Sequence, residues 1–205
     1  PIRWGGIPRV CRTERRTVTG VGRRAGAKDA QPNDAHRALA RLARDHSGKV
    51  TLITQNVDNL HEAGGSPEVI HMHGELLRAL CSACGHQWSW TCEMGLSDAC
   101  IRCSAIGTVR PDVVWFGEMP YHLERIANAI ENASLFVAIG TSGNVYPAAG
   151  YVSEARMRGV PTCEINLEET DASRLFDYRI TGPATESVPR FVDAVLSGRE
   201  LQVTR

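Results

Sequence analysis

The sequence lacks several features that would declare a function class. It has no apolar run long enough to span a bilayer, which removes a membrane partner from the first reading. It has no net charge, since 23 Lys and Arg balance 23 Asp and Glu, and so it has no global attraction to nucleic acid. It shows no signal-peptide pattern, and its seven cysteines are an odd number. Disulfides do not persist in a reducing compartment, so these two absences together point to the cytoplasm.

Four of the seven cysteines form two pairs, Cys81-x-x-Cys84 and Cys100-x-x-Cys103. Paired knuckles at this separation offer four thiolates to one tetrahedral ion, so a closed structural zinc site is the expected arrangement. A closed site has no open position for water or substrate, which sends the search for chemistry elsewhere. Cys92 lies between the pairs at a less suitable spacing, and Cys11 and Cys163 read as core or loop residues. Trp88 and Trp90 sit near the knuckles, but residues 75–112 are not strongly basic, and nucleic acid is not the expected partner.

Zero net charge hides an asymmetry. Residues 1–30 carry eight basic side chains against Glu14 and Asp29, a net +6 that the rest of the chain balances. That segment is glycine-rich and without apolar periodicity, which suggests a basic arm or a poorly ordered terminus. From residue 31 the pattern becomes regular. Gln31-Pro32-Asn33-Asp34 is a helix-start signal ahead of Ala35, Leu39 and Leu42. Strands are expected at 50–54, 135–139 and 162–166, with helices at 123–132, 148–158 and 188–196. Such alternation implies an α/β fold with a Rossmann-like parallel sheet and helices on both faces, plus the small zinc-binding module. The expected units are 31–74 with 113–205 for the sheet and 75–112 for the module.

Ligands of such sheets bind at the carboxyl ends of the strands. Three of these ends are polar: Gln55-Asn56-Val57-Asp58, Gly140-Thr141-Ser142-Gly143-Asn144, and Asn166-Leu167-Glu168. Asn56 and Asp58 could serve a ligand amide or simply cap a helix. The glycines and small hydroxyls after residue 139 would let backbone N–H groups approach a sugar or anion.

With His71-Met72-His73-Gly74 and Val113-Val114-Trp115-Phe116-Gly117-Glu118 added, the chain resembles the sirtuins, the NAD-dependent protein-lysine deacylases, and most closely their bacterial members. The resemblance implies NAD in the larger domain, one structural zinc ion in the smaller, and an acyl-lysine protein or peptide in the cleft between. His73 matches the family's catalytic base, with Asn56 and Asp58 beside it. Gln55, Asn56, Asp58 and His73 match the nicotinamide and ribose end of the cofactor site. Gly140, Thr141, Ser142, Asn166 and Ala184 match the adenosine side. Val113, Val114, Phe116, Gly117 and Glu118, with Asn144, Val145 and Tyr146 opposite, would flank the peptide. The implied products are nicotinamide, free lysine and O-acyl-ADP-ribose.

One departure sets a second expectation. Sirtuins begin with a strand, a Gly-Ala-Gly-x-Ser loop and a Gly-Ile-Pro-x-Phe-Arg segment, of which only Gly6-Ile7-Pro8 is recognisable. The central strand and first phosphate-binding loop are therefore expected to be missing, through a truncated or shifted reading frame or through divergence. The alternative function is then a catalytically impaired module that binds peptide or ADP-ribose. No tyrosine precedes Tyr121, so the mark of a succinyl or malonyl preference is not present to be read.

Overall fold

In the computed structural model, which describes residues 30–141, 146–200 and 203, the first helix starts where the Asn33 side chain can cap it. The expected basic arm lies outside the described residues, as do Ser142, Asn144 and Val145. Helix α1 (Asp34–Asp45) opens with Asn33 Oδ1 accepting the N–H groups of Ala35 and His36, at 3.0 and 3.2 Å. His36 Nδ1 accepts the Asn33 N–H in return, so a histidine fills the place usually held by Glu in a capping box. Replacing Asn33 with Ala is expected to cost about 1 kcal/mol, read as a lowered thermal midpoint.

Strands β1 (Ile53–Thr54) and β2 (Ile70–His71) pair in parallel, joined through the short helix α2 (Leu60–Ala63). An antiparallel sheet follows: β3 (Gly74–Cys81) lies between β4 (Gln87–Ser89) and β5 (Val109–Val113). Helix α3 (Leu123–Glu131) leads to β6 (Phe136–Ile139), and α4 (Tyr151–Met157) to β7 (Thr162–Asn166). Strand β8 (Tyr178–Thr181) and helix α5 (Ala184–Ser197) complete the order. Strands β6, β7 and β8 form a parallel ladder. Among the described residues this ladder and the β1–β2 pair are separate sheets.

Two apolar cores place helices on both faces. Ala35, Ala38 and Leu42 of α1 and Val188, Phe191 and Val192 of α5 bury against Cys163, Ile165 and Ile180. Ile126 and Ile130 of α3 and Ala155 of α4 bury against Ile70, Met72 and Phe136. Cys163 is one of these packing groups, and burial pushes its thiol up to about 11, which keeps it inert as a nucleophile.

Three local expectations need correction. The strand expected at 50–54 shrinks to Ile53–Thr54, because among the described residues only β2 pairs with it. The last helix starts at Ala184 instead of near 188, and Pro189 falls inside it. Thr185, whose carbonyl Pro189 cannot serve, is exposed, so solvent can take that bond. Strand β8 was not foreseen, since its short Tyr-Arg-Ile-Thr run carries little apolar signal. No helix among the described residues is long and apolar enough to cross a membrane.

Candidate active site

The carboxyl ends of β1, β2, β6 and β7 carry a hydrogen-bonded row of polar side chains. His73 follows β2 by two residues, and its Nδ1 lies 3.1 Å from the Gln55 carbonyl oxygen. A carbonyl can only accept, so the proton sits on Nδ1 and Nε2 is left as the basic nitrogen. Gln55 Nε2 in turn donates to Thr141 Oγ1 at 3.4 Å, linking the end of β1 to the end of β6. Asn166 Nδ2 donates to the Thr141 carbonyl at 2.9 Å, which extends the row to the end of β7. Four residues singled out from the sequence, Gln55, His73, Thr141 and Asn166, are thus joined through their own polar atoms.

Other expected members lie nearby in different roles. Asp58 Oδ1 accepts the Leu60 N–H at 3.0 Å, which starts α2. Asn56 is exposed; its backbone N–H donates to the Thr54 hydroxyl, and its backbone carbonyl accepts from His71 Nδ1. His71 is buried and turned towards Glu62, 2.7 Å from its carboxylate, so it shares no partner with His73. Gly140 has φ +60°, the left-handed region, at the turn out of β6. Ala184 opens α5 beside the end of β8. A cleft bordered by Arg156, Pro161 and Asp177 lies at the amino ends of β7 and β8 and contains none of these groups.

Gly74 fixes the backbone next to His73. It has φ +79°, and a Cβ there would lie 2.1 Å from the Asp112 carbonyl oxygen, so only glycine allows β3 and β5 to approach this closely. Gly74 pairs with Val113, and the Val114 N–H donates to the His73 carbonyl at 2.9 Å. The segment 113–118 therefore leaves the sheet directly beside the histidine. Trp115 and Phe116 on it are exposed, as are Met119 just after it and Tyr146.

Asp112, buried beside this junction, takes two hydrogen bonds and one ion pair. It accepts from Tyr121 Oη at 2.8 Å and Gln87 Nε2 at 3.1 Å, with Arg78 Nε at 3.6 Å. Burial first, and then the Asp112 hydrogen bond, push the Tyr121 phenol up to about 12, so it stays a donor. Sequence reasoning missed this network, and it missed Arg110, whose guanidinium bonds Val113 and Glu118. An Arg-Pro pair inside a short strand gives no pattern from which either could be read.

The metal centre fits its donors. Cys81, Cys84, Cys100 and Cys103 bring their sulfurs within 4.8 Å of one another, and no other such group occurs among the described residues. Cys81 to Cys103 and Cys84 to Cys100 are both 3.7 Å. A tetrahedron of Zn–S bonds of about 2.3 Å puts its sulfurs about 3.8 Å apart. Hydrogen bonding to the Thr108 hydroxyl, then to the backbone of Cys84 and Ala83, draws Cys81 down to about 6. Despite a hydrogen bond from the His86 backbone that lowers it, the Cys84 thiol is pushed up to about 12 by local desolvation and its neighbouring sulfurs.

Known proteins resemble the chain over most of its length. An NAD-dependent protein deacylase from Leishmania major is 52% identical over 169 residues, covering 81% of this chain and 70% of that protein. One from Caulobacter vibrioides is 49% identical over 178 residues, covering 85% and 75%. Among solved structures, a Sir2 homologue in complex with NAD superposes with a TM-score of 0.80 at 37% identity, covering 87% of this chain and 70% of that one. Sir2Af2 bound to a myristoylated histone peptide superposes at 0.69 and 30% identity, covering 87% and 83%. The Sir2 family model matches residues 11–147, so the match begins inside the segment read above as atypical. With two thirds of the chain matched and relatives near half identical, the chain belongs to the Sir2 family.

Proposed function

We propose that the chain is an NAD-dependent protein-lysine deacylase. The observation that carries this reading is His73, held by the Gln55 carbonyl with Nε2 free and placed where the sheet edge meets the segment 113–118. NAD, when bound, supplies the ribose that takes up the acyl group as nicotinamide leaves. The protein's part is positional and basic. His73 Nε2 accepts a proton from a ribose hydroxyl, and the Nδ1–H bond to Gln55 keeps that tautomer in place while the ring becomes charged. Gln55, Asn56 and Asp58 hold the nicotinamide end. Gly140, Thr141, Ser142, Asn166 and Ala184 hold the adenosine side. Segment 113–118, with Asn144, Val145 and Tyr146, pairs with the acyl-lysine peptide as an added strand.

The relatives named as NAD-dependent protein deacylases and the two solved complexes support this assignment. The same reading takes 75–112 as a zinc-stapled unit, which the antiparallel sheet from Gly74 to Val113 supports. It places the protein in the cytoplasm, where its thiols stay reduced, and gives it neither a membrane nor a nucleic-acid partner.

The test is to incubate the purified protein with NAD and a panel of acetyl-lysine and succinyl-lysine peptides, following nicotinamide by mass spectrometry. Peptide-dependent release is the expected result, and the panel reads the acyl preference. A folded, zinc-loaded protein that binds peptide or ADP-ribose and releases no nicotinamide would overturn the enzyme in favour of the binding module.

A further inference from the structure

We propose that Arg110 is a positioning residue for the peptide substrate, shaping residues 113–118 into a preformed docking edge. This rests on the deacylase reading above. Arg110 lies on β5, largely buried, and makes three contacts with the segment that follows. Its Nη1 donates to the Val113 carbonyl at 3.0 Å, and its Nη2 to Glu118 Oε1 at 2.8 Å. Its guanidinium carbon lies 4.4 Å from the centre of the Trp115 ring, within cation–π range.

Glu118 completes the staple. Its second oxygen accepts the Trp115 N–H at 2.9 Å, while its own N–H donates to the Trp115 carbonyl at 2.9 Å. The turn 115–118 is therefore closed from both ends, with Gly117 at φ +89° making the reversal. The bond from the Trp115 N–H, and then Arg110, hold the Glu118 carboxyl below its ordinary value, which agrees with a carboxylate committed to this turn. With both oxygens occupied, Glu118 builds the segment and does not touch the peptide through its carboxylate.

The staple leaves an edge open for binding. The backbone of Phe116 and Gly117 has no hydrogen-bond partner among the described residues, and the Phe116 side chain is fully exposed. An exposed loop with free backbone groups ordinarily samples many conformations, and a partner must bear the ordering cost. Here the guanidinium fork has met that cost in advance, and the Val114 N–H fixes the segment to the His73 carbonyl. Lysine cannot do the same, because its ammonium cannot lie flat on Trp115 while bridging a carbonyl and a carboxylate.

The test uses the full chain and the variants Arg110→Met and Arg110→Lys, with Arg125→Met as a remote surface control. Hydrogen exchange at the Trp115 and Glu118 amides reads the staple itself. Anisotropy with a fluorescein-labelled acetyl-lysine peptide, and calorimetry with ADP-ribose, read its consequence. In Arg110→Met, exchange at the two amides and the peptide Kd should each rise about tenfold. The ADP-ribose Kd should stay within about twofold, and Arg110→Lys should recover little of the peptide affinity. Unchanged exchange would remove the staple, and unchanged peptide affinity would remove its role in docking. Loss of ADP-ribose and peptide binding together would show a general structural defect and overturn the proposal. If the unaltered protein binds no peptide, the deacylase reading falls with the docking role, while exchange still decides whether Arg110 builds the turn.

Discussion

Replacing His73 with alanine is expected to lower peptide-dependent nicotinamide release and deacylation by about 10²–10⁴-fold, the usual contribution of a positioned general base. The fold and the zinc content should not change. His73 is half-buried, and its side chain makes one hydrogen bond, to a backbone carbonyl that solvent can serve once the ring is gone. Its backbone carbonyl still accepts from the Val114 N–H whichever side chain is present. The loss should therefore appear in kcat, with peptide and ADP-ribose affinities kept within a few-fold. An asparagine at 73 can donate to the Gln55 carbonyl but cannot take up a proton, so His73→Asn should be as inactive as His73→Ala. An asparagine variant with most of its activity would show that placement at the Gln55 carbonyl matters and basicity does not. A fully active alanine variant would dismiss the histidine altogether.

The row at the strand ends explains why this histidine can be so placed. Asn166 spends its amide on the Thr141 carbonyl, and its Oδ1 accepts the Leu167 N–H. Behind it, buried Glu164 accepts from Thr170 Oγ1 at 3.1 Å and from Ser173 Oγ, which ties the turn after β7 to the strand. The edge proposed for the cofactor is thus built from groups that bond to one another within the chain itself. Such preorganisation lowers the cost of binding.

The parts of this molecule that were legible in the sequence are those whose physics is local. Helix α1 announced itself through Asn33 and the spacing of its apolar residues, and β6 and β7 through short apolar runs ending in polar residues. The four cysteines were readable because metal geometry constrains spacing. The antiparallel sheet around β3 was not, because β3 and β5 are joined through a shifted register between Glu75 and Ala79 that breaks the alternation of buried and exposed residues. Arg110 and Glu118 lie eight residues apart, and no helical or strand period pairs them. Their meeting depends on the turn at Gly117, which is a property of the folded segment.

Replacing Cys81 with serine, or dialysing the protein against a strong chelator, is expected to remove zinc and unfold the module first. Structural zinc in small modules is worth about 10–16 kcal/mol, far more than so short a sheet gains from its own packing. The consequence should reach the active site through the two strands that leave the cluster. Cys81 ends β3 and pairs with Val109, the first residue of β5, while the other ends of these strands carry Gly74 beside His73 and Val113 at the root of the docking segment. The peptide Kd should therefore weaken more than the ADP-ribose Kd, since the residues proposed for the adenosine side, Gly140, Thr141, Asn166 and Ala184, follow β6 or lie on β7 and α5. Zinc should also leave on acidification, because protons compete for the thiolates, and return when the pH is raised. Metal analysis across pH, paired with circular dichroism, reads the loss, and Cys92→Ser should keep one zinc ion per chain. Full zinc in Cys81→Ser, or a metal-free protein with unaltered peptide affinity, would separate the cysteine cluster from the fold of the docking edge.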